Sequence, residues 1–355
     1  MLKFLWVLPF LLCLSKNLLS ENFNYIDSLS IKTPPEKMCS LDELVSYCET
    51  QALTDVERVR FYFVWVASHI RYDEKTGYDK QNPLTVFKTK KAVCSGYTRL
   101  LMQLCEQSNI AVKYVAGYGK DVNDEKNIQN HSWNIIFING KWQFFDVTWA
   151  AADMDDKNSS LSFKDWFMTQ TEVFQKTHLS FDPAYQLTNQ LITRSDFFNK
   201  PTNKAFYTEG GQKSNFDFAQ ILANENGLDS LERTWLSFRR AYDFMPMDSA
   251  VAIKLAKLQA AKVKPIFDYI QDFIKNDYPK IKQMPVAVRR DWASRLQNNE
   301  FSLLEALNLY TELANFPLSD DNKKAIKQNL MYYQKLTDFA KTALIELNNE
   351  IALRE

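Results

Sequence analysis

The residues of this sequence best suited to nucleophilic chemistry are Cys94, His131 and Asp146. Cys94 begins a segment with helical periodicity, and the dipole at the start of a helix lowers the pKa of a thiol. A carboxylate bonded to a histidine fixes the tautomer of the imidazole and supports its charged form, as the base or ion-pair partner of a nucleophile requires. The three residues therefore predict covalent catalysis by a cysteine thiolate. An amide N–H at the helix start, including that of Cys94, would help to bind an oxyanion.

An Asn-Gly pair at residues 139–140 lies between two runs rich in β-branched and aromatic residues, which predicts a hairpin with a type I′ turn. In the register of a two-residue turn, Asp146 lies opposite Trp133. His131 is two residues from Trp133 and therefore points to the same face of the sheet. His131 and Asp146 are then diagonal neighbours, about 7–8 Å apart at Cα and within reach of a hydrogen bond. A shift of the strand register by one residue would place the two side chains on opposite faces of the sheet. That they share a face in the expected register is therefore informative.

Two helices and a strand are predicted to frame this hairpin. Thr54, followed three residues later by Glu57, forms a capping box that predicts a helix over residues 55–70. The apolar spacing over residues 94–107 predicts a second helix. Residues 110–118 are rich in Val and Tyr, which predicts a strand.

Glycine is scarce, since the 355 residues include 8 where ordinary usage would give about 25. Five of them lie between Gly77 and Gly140, and none follows Gly227. This scarcity disfavours an all-β sandwich or a propeller, whose turns need glycine. The sequence also lacks the glycine-rich motifs that bind phosphate groups.

The C-terminal part of the chain has helical periodicity throughout, which predicts a helical bundle. Its amphipathic segments include residues 286–297 and 302–314, interpreted as separate helices. We place the change of pattern near residue 190. The interpretation is an N-terminal domain over residues 21–190 and a helical domain over residues 191–355.

Residues 1–20 have the pattern of a secretory signal peptide. Lys3 supplies the positive charge, and the apolar run over residues 4–14 is too short for a comfortable membrane span. We therefore expect a secreted or periplasmic protein without stable membrane insertion after cleavage. Export permits disulfides, and a bond between Cys39 and Cys48 is left open.

Charge and histidine content bear on the ligands to expect. The chain has 43 Lys and Arg and 43 Asp and Glu, so no bulk positive charge argues for nucleic acid as a partner. Its 3 histidines lack the spacing of paired metal ligands. We expect no nucleic acid, no metal and no cofactor.

Three segments together resemble the transglutaminase-like superfamily: residues 92–97, 131–133 and 146–149. The resemblance spans about residues 40–190 and is nearest to kyphoscoliosis-peptidase-like or bacterial transglutaminase-domain proteins. It implies an α+β fold with a papain-like core, in which a nucleophile helix packs on an antiparallel sheet. The all-α helical domain follows this core.

The resemblance also implies acyl-transfer chemistry on a protein or peptide substrate. Cys94 would attack a peptide carbonyl or a glutamine carboxamide, His131 would accept and return the proton, and Asp146 would orient His131. The thioacyl group would pass to water, as in a peptidase or deamidase, or to an amine, as in cross-linking. We expect hydrolysis, and the sequence leaves cross-linking open.

Several neighbouring residues have two interpretations. Trp133 and Trp149 are candidate walls of a substrate cleft, with hydrophobic packing as the alternative. The acidic residues Asp153, Asp155 and Asp156 could recognise cations, although a solvated loop is the favoured interpretation.

The remaining histidines, His69 and His178, are interpreted as structural. For His178, a buried polar link to the C-terminal segment of the domain would suffice. The alternative to an enzyme is a non-enzymatic binding or scaffold module, with the helical domain as the site for a protein partner. The intact set of Cys94, His131 and Asp146 favours the enzyme.

Overall fold

A computed structural model describes residues 23–121, 124–155, 163–202, 212–213, 218–225, 227–246 and 248–353. The chain divides into two compact units, residues 1–216 and residues 217–355, whereas the sequence pattern placed the boundary at residues 190 and 191. The predicted signal peptide, residues 1–20, lies outside the described residues and stays a prediction. Within the described ranges, no helix is both long enough and apolar enough to cross a membrane.

The helices of the first unit follow the sequence signals closely. They are α1 (residues 23–31), α2 (Leu41–Gln51), α3 (Asp55–His69), α4 (Pro83–Thr89), α5 (Cys94–Gln107), α6 (Val147–Asp155), α7 (Thr171–Phe174) and α8 (Arg194–Asn199). The predicted capping box is present at α3, where the Glu57 N–H donates to Thr54 Oγ1 at 3.2 Å and the Thr54 N–H donates to Glu57 Oε2 at 2.9 Å.

The central sheet of the first unit is antiparallel and has five strands. In chain order these are β3 (Val112–Lys120), β4 (Ile128–Ile138), β5 (Lys141–Phe145), β6 (Phe167–Thr169) and β7 (His178–Ser180), and their spatial order is β6-β5-β4-β3-β7. Two short pairs complete the strands, β1 (Arg71–Tyr72) with β2 (Lys91–Ala92) and β8 (Gln190–Leu191) with β9 (Gln212–Lys213). Helix α5 packs on β3 and β4, so the predicted α+β class is confirmed.

The hairpin of β4 and β5 has the predicted turn. Asn139 and Gly140 both have positive φ, 53° and 76°, as a type I′ turn requires. Ile138 pairs with Lys141, which is the predicted register. The strand pairing ends with Asn134 opposite Phe145, so the predicted pairing of Asp146 with Trp133 was wrong: Asp146 has left the strand and directly precedes α6.

The core of the first unit combines aromatic packing with a buried ion pair between α1 and α3. Phe63 of α3 meets Phe145 and Phe167 edge-to-face, with ring centroids 6.3 and 5.3 Å apart. Arg60 of the same helix donates to both carboxylate oxygens of Asp27 at 2.6 and 2.8 Å. This bidentate pair joins α1 to α3, because the fork of a guanidinium matches a carboxylate.

The second unit is helical, with α9 (Phe218–Asn224), α10 (Ser230–Phe244), α11 (Ser249–Asp272), α12 (Val286–Ala314) and α13 (Asp320–Ala352). Residues 286–297 and 302–314 form the single continuous helix α12, so their separation was wrong. The residues between them include neither Gly nor Pro, and the side-chain amide of Asn299 donates to the Arg295 carbonyl of the same helix at 2.9 Å. Nothing in this stretch stops the helix.

The cysteines of the described part of the chain are free thiols. Cys39 is exposed and Cys48 is buried, so the bond left open between them is not formed. Cys105 is also buried, as a small apolar side chain would be.

Gly117 lies where three strands meet, since it pairs with His131 on β4 and with Ser180 on β7. A Cβ added at Gly117 would lie 2.1 Å from the carbonyl oxygen of Leu179 and 2.5 Å from Trp133 Cη2. The Leu179 oxygen belongs to the backbone and cannot rotate away. Only glycine therefore lets β7 pack this closely against β3.

We expect Gly117→Ala to lower the free energy of unfolding by about 2 kcal/mol, as overpacking of a filled core does. Urea denaturation of the wild type and the variant measures the difference. Gly119→Ala is the matched control on the same strand, because its nearest atoms would lie 3.2 Å away, and it should cost less. Equal losses in the two variants would contradict this account of Gly117.

Candidate active site

Cys94 is the first residue of α5, and a buried glutamine holds the backbone just before it. The Val93 N–H donates to Gln81 Oε1 at 3.1 Å. The side-chain amide of Gln81 donates in turn to the carbonyls of Thr76 and Gly77, at 3.2 and 3.1 Å. Gln81 is fully buried and thus joins the loop before α4 to the start of the nucleophile helix. Sequence reasoning missed it, because the contact crosses 12 residues without a local pattern.

A second set of hydrogen bonds fixes α5 against the strand that carries His131. The Thr98 hydroxyl lies 2.9 Å from the Cys94 carbonyl oxygen and 3.0 Å from that of Ser132. The side-chain amide of Asn134 donates to the Thr98 carbonyl at 3.2 Å. The first turn of α5 is therefore held in register with β4, which brings Cys94 next to His131.

His131 and Asp146 form the predicted pair. His131 Nε2 lies 2.7 Å from Asp146 Oδ2, and the Asp146 side chain is fully buried. The other carboxylate oxygen, Oδ1, accepts the backbone N–H groups of Thr148 and Trp149 at 2.9 and 3.1 Å. Asp146 thus orients the imidazole and also caps the start of α6.

The charges of this pair stabilise each other. Burial alone would raise the pKa of Asp146, but the charge of His131 and hydrogen bonds from His131 and His178 hold that pKa well below its usual range. Burial alone would lower the pKa of His131, yet Asp146 and Cys94 raise it to about 10. At neutral pH, Asp146 is ionised and His131 is an imidazolium.

The His131 side chain acts on the Cys94 thiol and lowers its pKa. Since Nε2 of His131 is used by Asp146, Nδ1 is the nitrogen that faces the sulfur. Burial alone would raise the pKa of the Cys94 thiol, but the hydrogen bond and charge of His131, with a hydrogen bond from Ser132, bring it below its ordinary value. The arrangement favours a thiolate–imidazolium pair.

His178 is part of this cluster, whereas the sequence suggested a structural role. It is almost fully buried, and its Nε2 lies 3.0 Å from Asp146 Oδ2, the same oxygen that His131 uses. The Thr177 hydroxyl lies 2.8 Å from its Nδ1. The predicted link was to the C-terminal segment of the domain, whereas the ring contacts the candidate catalytic carboxylate. His69 has the expected structural role, since it stacks on Trp65 with ring centroids 4.7 Å apart.

A cleft of about 490 Å³ borders His131. Trp149 lines it, as the sequence suggested, together with Tyr72 and Tyr97. Trp133, the other candidate wall, is 1% exposed and does not line the cleft. It packs edge-to-face on Phe174 and His178, so for Trp133 the structure favours the packing interpretation.

The acidic cluster seen in the sequence lies partly at this cleft. Asp153 and Asp155 line it, and so do Glu74 and Asp121. Asp153 Oδ2 also accepts the indole N–H of Trp166 at 2.6 Å. Asp156, the third acidic residue of the predicted cluster, lies outside the described residues.

His131, Asp146 and His178 place their donor atoms within 4.8 Å of one another, as the ligands of a metal ion would. The two N–O separations, 2.7 and 3.0 Å, are hydrogen-bond lengths. Each contact is accounted for by an imidazole N–H donor and a carboxylate acceptor. The cluster is therefore explained by hydrogen bonding alone, and the expected absence of metal and cofactor stays a prediction.

Comparison with known proteins bears on the identity of the first unit. A family profile described as the transglutaminase-like superfamily matches residues 42–147. Kyphoscoliosis peptidase of Homo sapiens is 29% identical over 182 residues, which are 45% of this chain and 28% of that protein. Hillarin of Drosophila melanogaster is 22% identical over 212 residues, 53% of this chain and 26% of that protein.

The chain thus spans about a quarter of the length of these relatives. A solved structure of a TGase superposes with a TM-score of 0.27 at 17% identity, over 40% of this chain and 35% of that one, and at this score it adds nothing to the assignment. The profile match covers both Cys94 and Asp146, and the relatives align beyond it. Residues 42–147 therefore match the transglutaminase-like superfamily, and the similarity to kyphoscoliosis peptidase supports that assignment for this part of the chain.

Proposed function

We propose that this protein is a cysteine acyl-transfer enzyme that acts on peptide bonds or glutamine carboxamides of protein substrates. The observation that carries the proposal is the hydrogen bond of His131 to the buried Asp146, together with the effect of His131 on the Cys94 thiol, whose pKa it lowers. A cysteine nucleophile is activated when its thiol lies at a helix start next to a histidine. A buried carboxylate supports the protonated form of that histidine. The match to kyphoscoliosis peptidase, by its name a peptidase, is consistent with it.

The proposed reaction begins when the Cys94 thiolate attacks the carbonyl carbon of the substrate and forms a tetrahedral oxyanion. The amide N–H at the start of α5 would stabilise that oxyanion. The C–N bond then breaks, and the amine or ammonia leaves with the proton that His131 held on Nδ1. This produces a thioester on Cys94 and a neutral imidazole.

The second half of the reaction regenerates the thiol. Water attacks the thioester while Nδ1 of His131 takes its proton, and the acid product leaves as the Cys94 sulfur is released. Asp146 keeps His131 oriented in both halves. An amine in place of water would give a cross-link instead. We propose hydrolysis, since the cleft beside His131 includes the exposed residue Glu74 at its rim and so admits water.

Two parts of the proposal lie outside the site itself. The apolar run over residues 4–14 supports export to the periplasm or the exterior. The helical unit, residues 217–355, is proposed to contact a protein partner or to present the substrate.

We expect an acyl-transfer probe, such as a peptide with an electrophilic carbonyl, to label Cys94 of the wild-type protein and to leave Cys94→Ala unlabelled. His131→Ala should react at least about 100-fold more slowly, because a histidine base contributes on this scale. Peptide mass mapping locates the label, and Cys39→Ala is the matched control, since it removes an exposed thiol outside the site. Equal labelling of the wild type and His131→Ala would favour the scaffold alternative.

A second prediction concerns the pH dependence of Cys94 alkylation by iodoacetamide. The pKa of Cys94 is lowered and that of His131 is raised to about 10, so the ion pair exists between these limits. Lowering the pH from 8 to 6 should therefore slow alkylation of the wild type less than it slows alkylation of His131→Ala. In His131→Ala, burial is left to raise the pKa of the thiol, and the same change should slow alkylation about 100-fold. A wild-type rate that falls as steeply as that of the variant would contradict the ion pair.

A further inference from the structure

His178 shares one carboxylate oxygen with the candidate catalytic histidine. Asp146 Oδ2 lies 2.7 Å from His131 Nε2 and 3.0 Å from His178 Nε2. Its partner oxygen, Oδ1, accepts the N–H groups of Thr148 and Trp149. An ionised carboxylate has about four acceptor sites, so these four donors fill it.

The surroundings of His178 settle its protonation. Because Asp146 Oδ2 can only accept, Nε2 of His178 carries a proton, and in the neutral ring Nδ1 accepts from the Thr177 hydroxyl at 2.8 Å. Phe174 stacks on the ring at 3.9 Å between centroids, and Trp149 lies at 4.4 Å. This apolar enclosure disfavours a charged imidazole.

The charged neighbours of His178 act in opposite directions. Burial lowers its pKa, Asp146 raises it, and the positive charge of His131 lowers it again, with a net value of about 4. At neutral pH the site therefore contains one imidazolium, His131, and one neutral imidazole, His178, on the same carboxylate oxygen. The two histidines have different states because Asp146 and Cys94 raise the pKa of His131, whereas burial and the positive charge of His131 lower the pKa of His178.

We propose that His178 is a positioning residue of the active site, which holds the Asp146 carboxylate in place by filling the acceptor position of Oδ2 that His131 leaves open. This inference rests on the proposed function of Cys94 and His131. In this proposal, His178 affects the charge state of the Cys94 nucleophile indirectly, through its hydrogen bond to Asp146.

Loss of the His178 donor would leave one acceptor site of a fully buried carboxylate empty. Hydrogen bonds to a carboxylate favour its ionised form, so the pKa of Asp146 would rise. The carboxylate would also be free to rotate about its remaining bonds. Both effects weaken the imidazolium at His131 and therefore the thiolate at Cys94.

The test compares three variants of the full chain by the pH dependence of Cys94 alkylation, with circular dichroism to measure the folded fraction. His178→Phe keeps an aromatic ring but removes the donor. We expect the acid limb of its rate–pH profile to move up by about one pH unit, so that its rate at a given pH on that limb falls about tenfold. His178→Gln can restore an N–H donor and should stay near the wild type. Phe174→Leu removes packing but no donor, and should lower stability without moving the limb.

An unchanged acid limb in folded His178→Phe would overturn the proposal, and so would equal shifts in His178→Phe and Phe174→Leu. NMR of the wild-type imidazoles provides a test that requires no variant to fold. We expect His178 to be neutral with the proton on Nε2 between pH 5 and 8; a charged ring or a proton on Nδ1 would overturn the assignment. The proposed function fails separately, if wild-type Cys94 alkylation does not depend on His131.

Discussion

The buried charge of Asp146 is the constraint on which the rest of the first unit depends. A carboxylate without solvent is tolerated only when it is paired and hydrogen-bonded. Its donors come from three different elements: His131 from β4, His178 from β7, and two backbone N–H groups from the start of α6. The hairpin turn, the approach of β7 to β3 at Gly117 and the end of β5 at Phe145 can be understood as the geometry that delivers these donors.

The thiol is placed by a separate set of contacts on the other side of His131. Gln81 holds the backbone that precedes α5, and Thr98 connects the first turn of α5 to β4. Cys94 thus approaches an imidazole whose orientation is already set by Asp146. Cys94 and His131 are therefore held by separate sets of hydrogen bonds. A catalytic geometry is maintained best when each side chain has its own supporting bonds.

The sequence predicted those parts of the site that depend on local patterns. Asn139 and Gly140 determine the turn and hence the face that His131 and Asp146 share, because the register of a hairpin follows from its turn type. The role of His178 depends on the pairing of β7 with β3. This pairing brings His178 to Asp146, which lies 32 positions earlier in the chain. No local periodicity encodes such a contact. The same holds for the buried face of Trp133, whose neighbours Phe174 and His178 come from later in the chain.

One carboxylate oxygen of Asp146 caps α6, and the other accepts hydrogen bonds from two histidines. The second of these histidines is residue 178. The full set of bonds around this carboxylate therefore cannot exist until the chain is synthesised well past the nucleophile. A nascent chain that ends before β7 has Cys94 and His131 but an incompletely bonded Asp146. The buried charge of Asp146 therefore gains its last hydrogen-bond donor only after β7, the last strand of the sheet in the chain, has been synthesised.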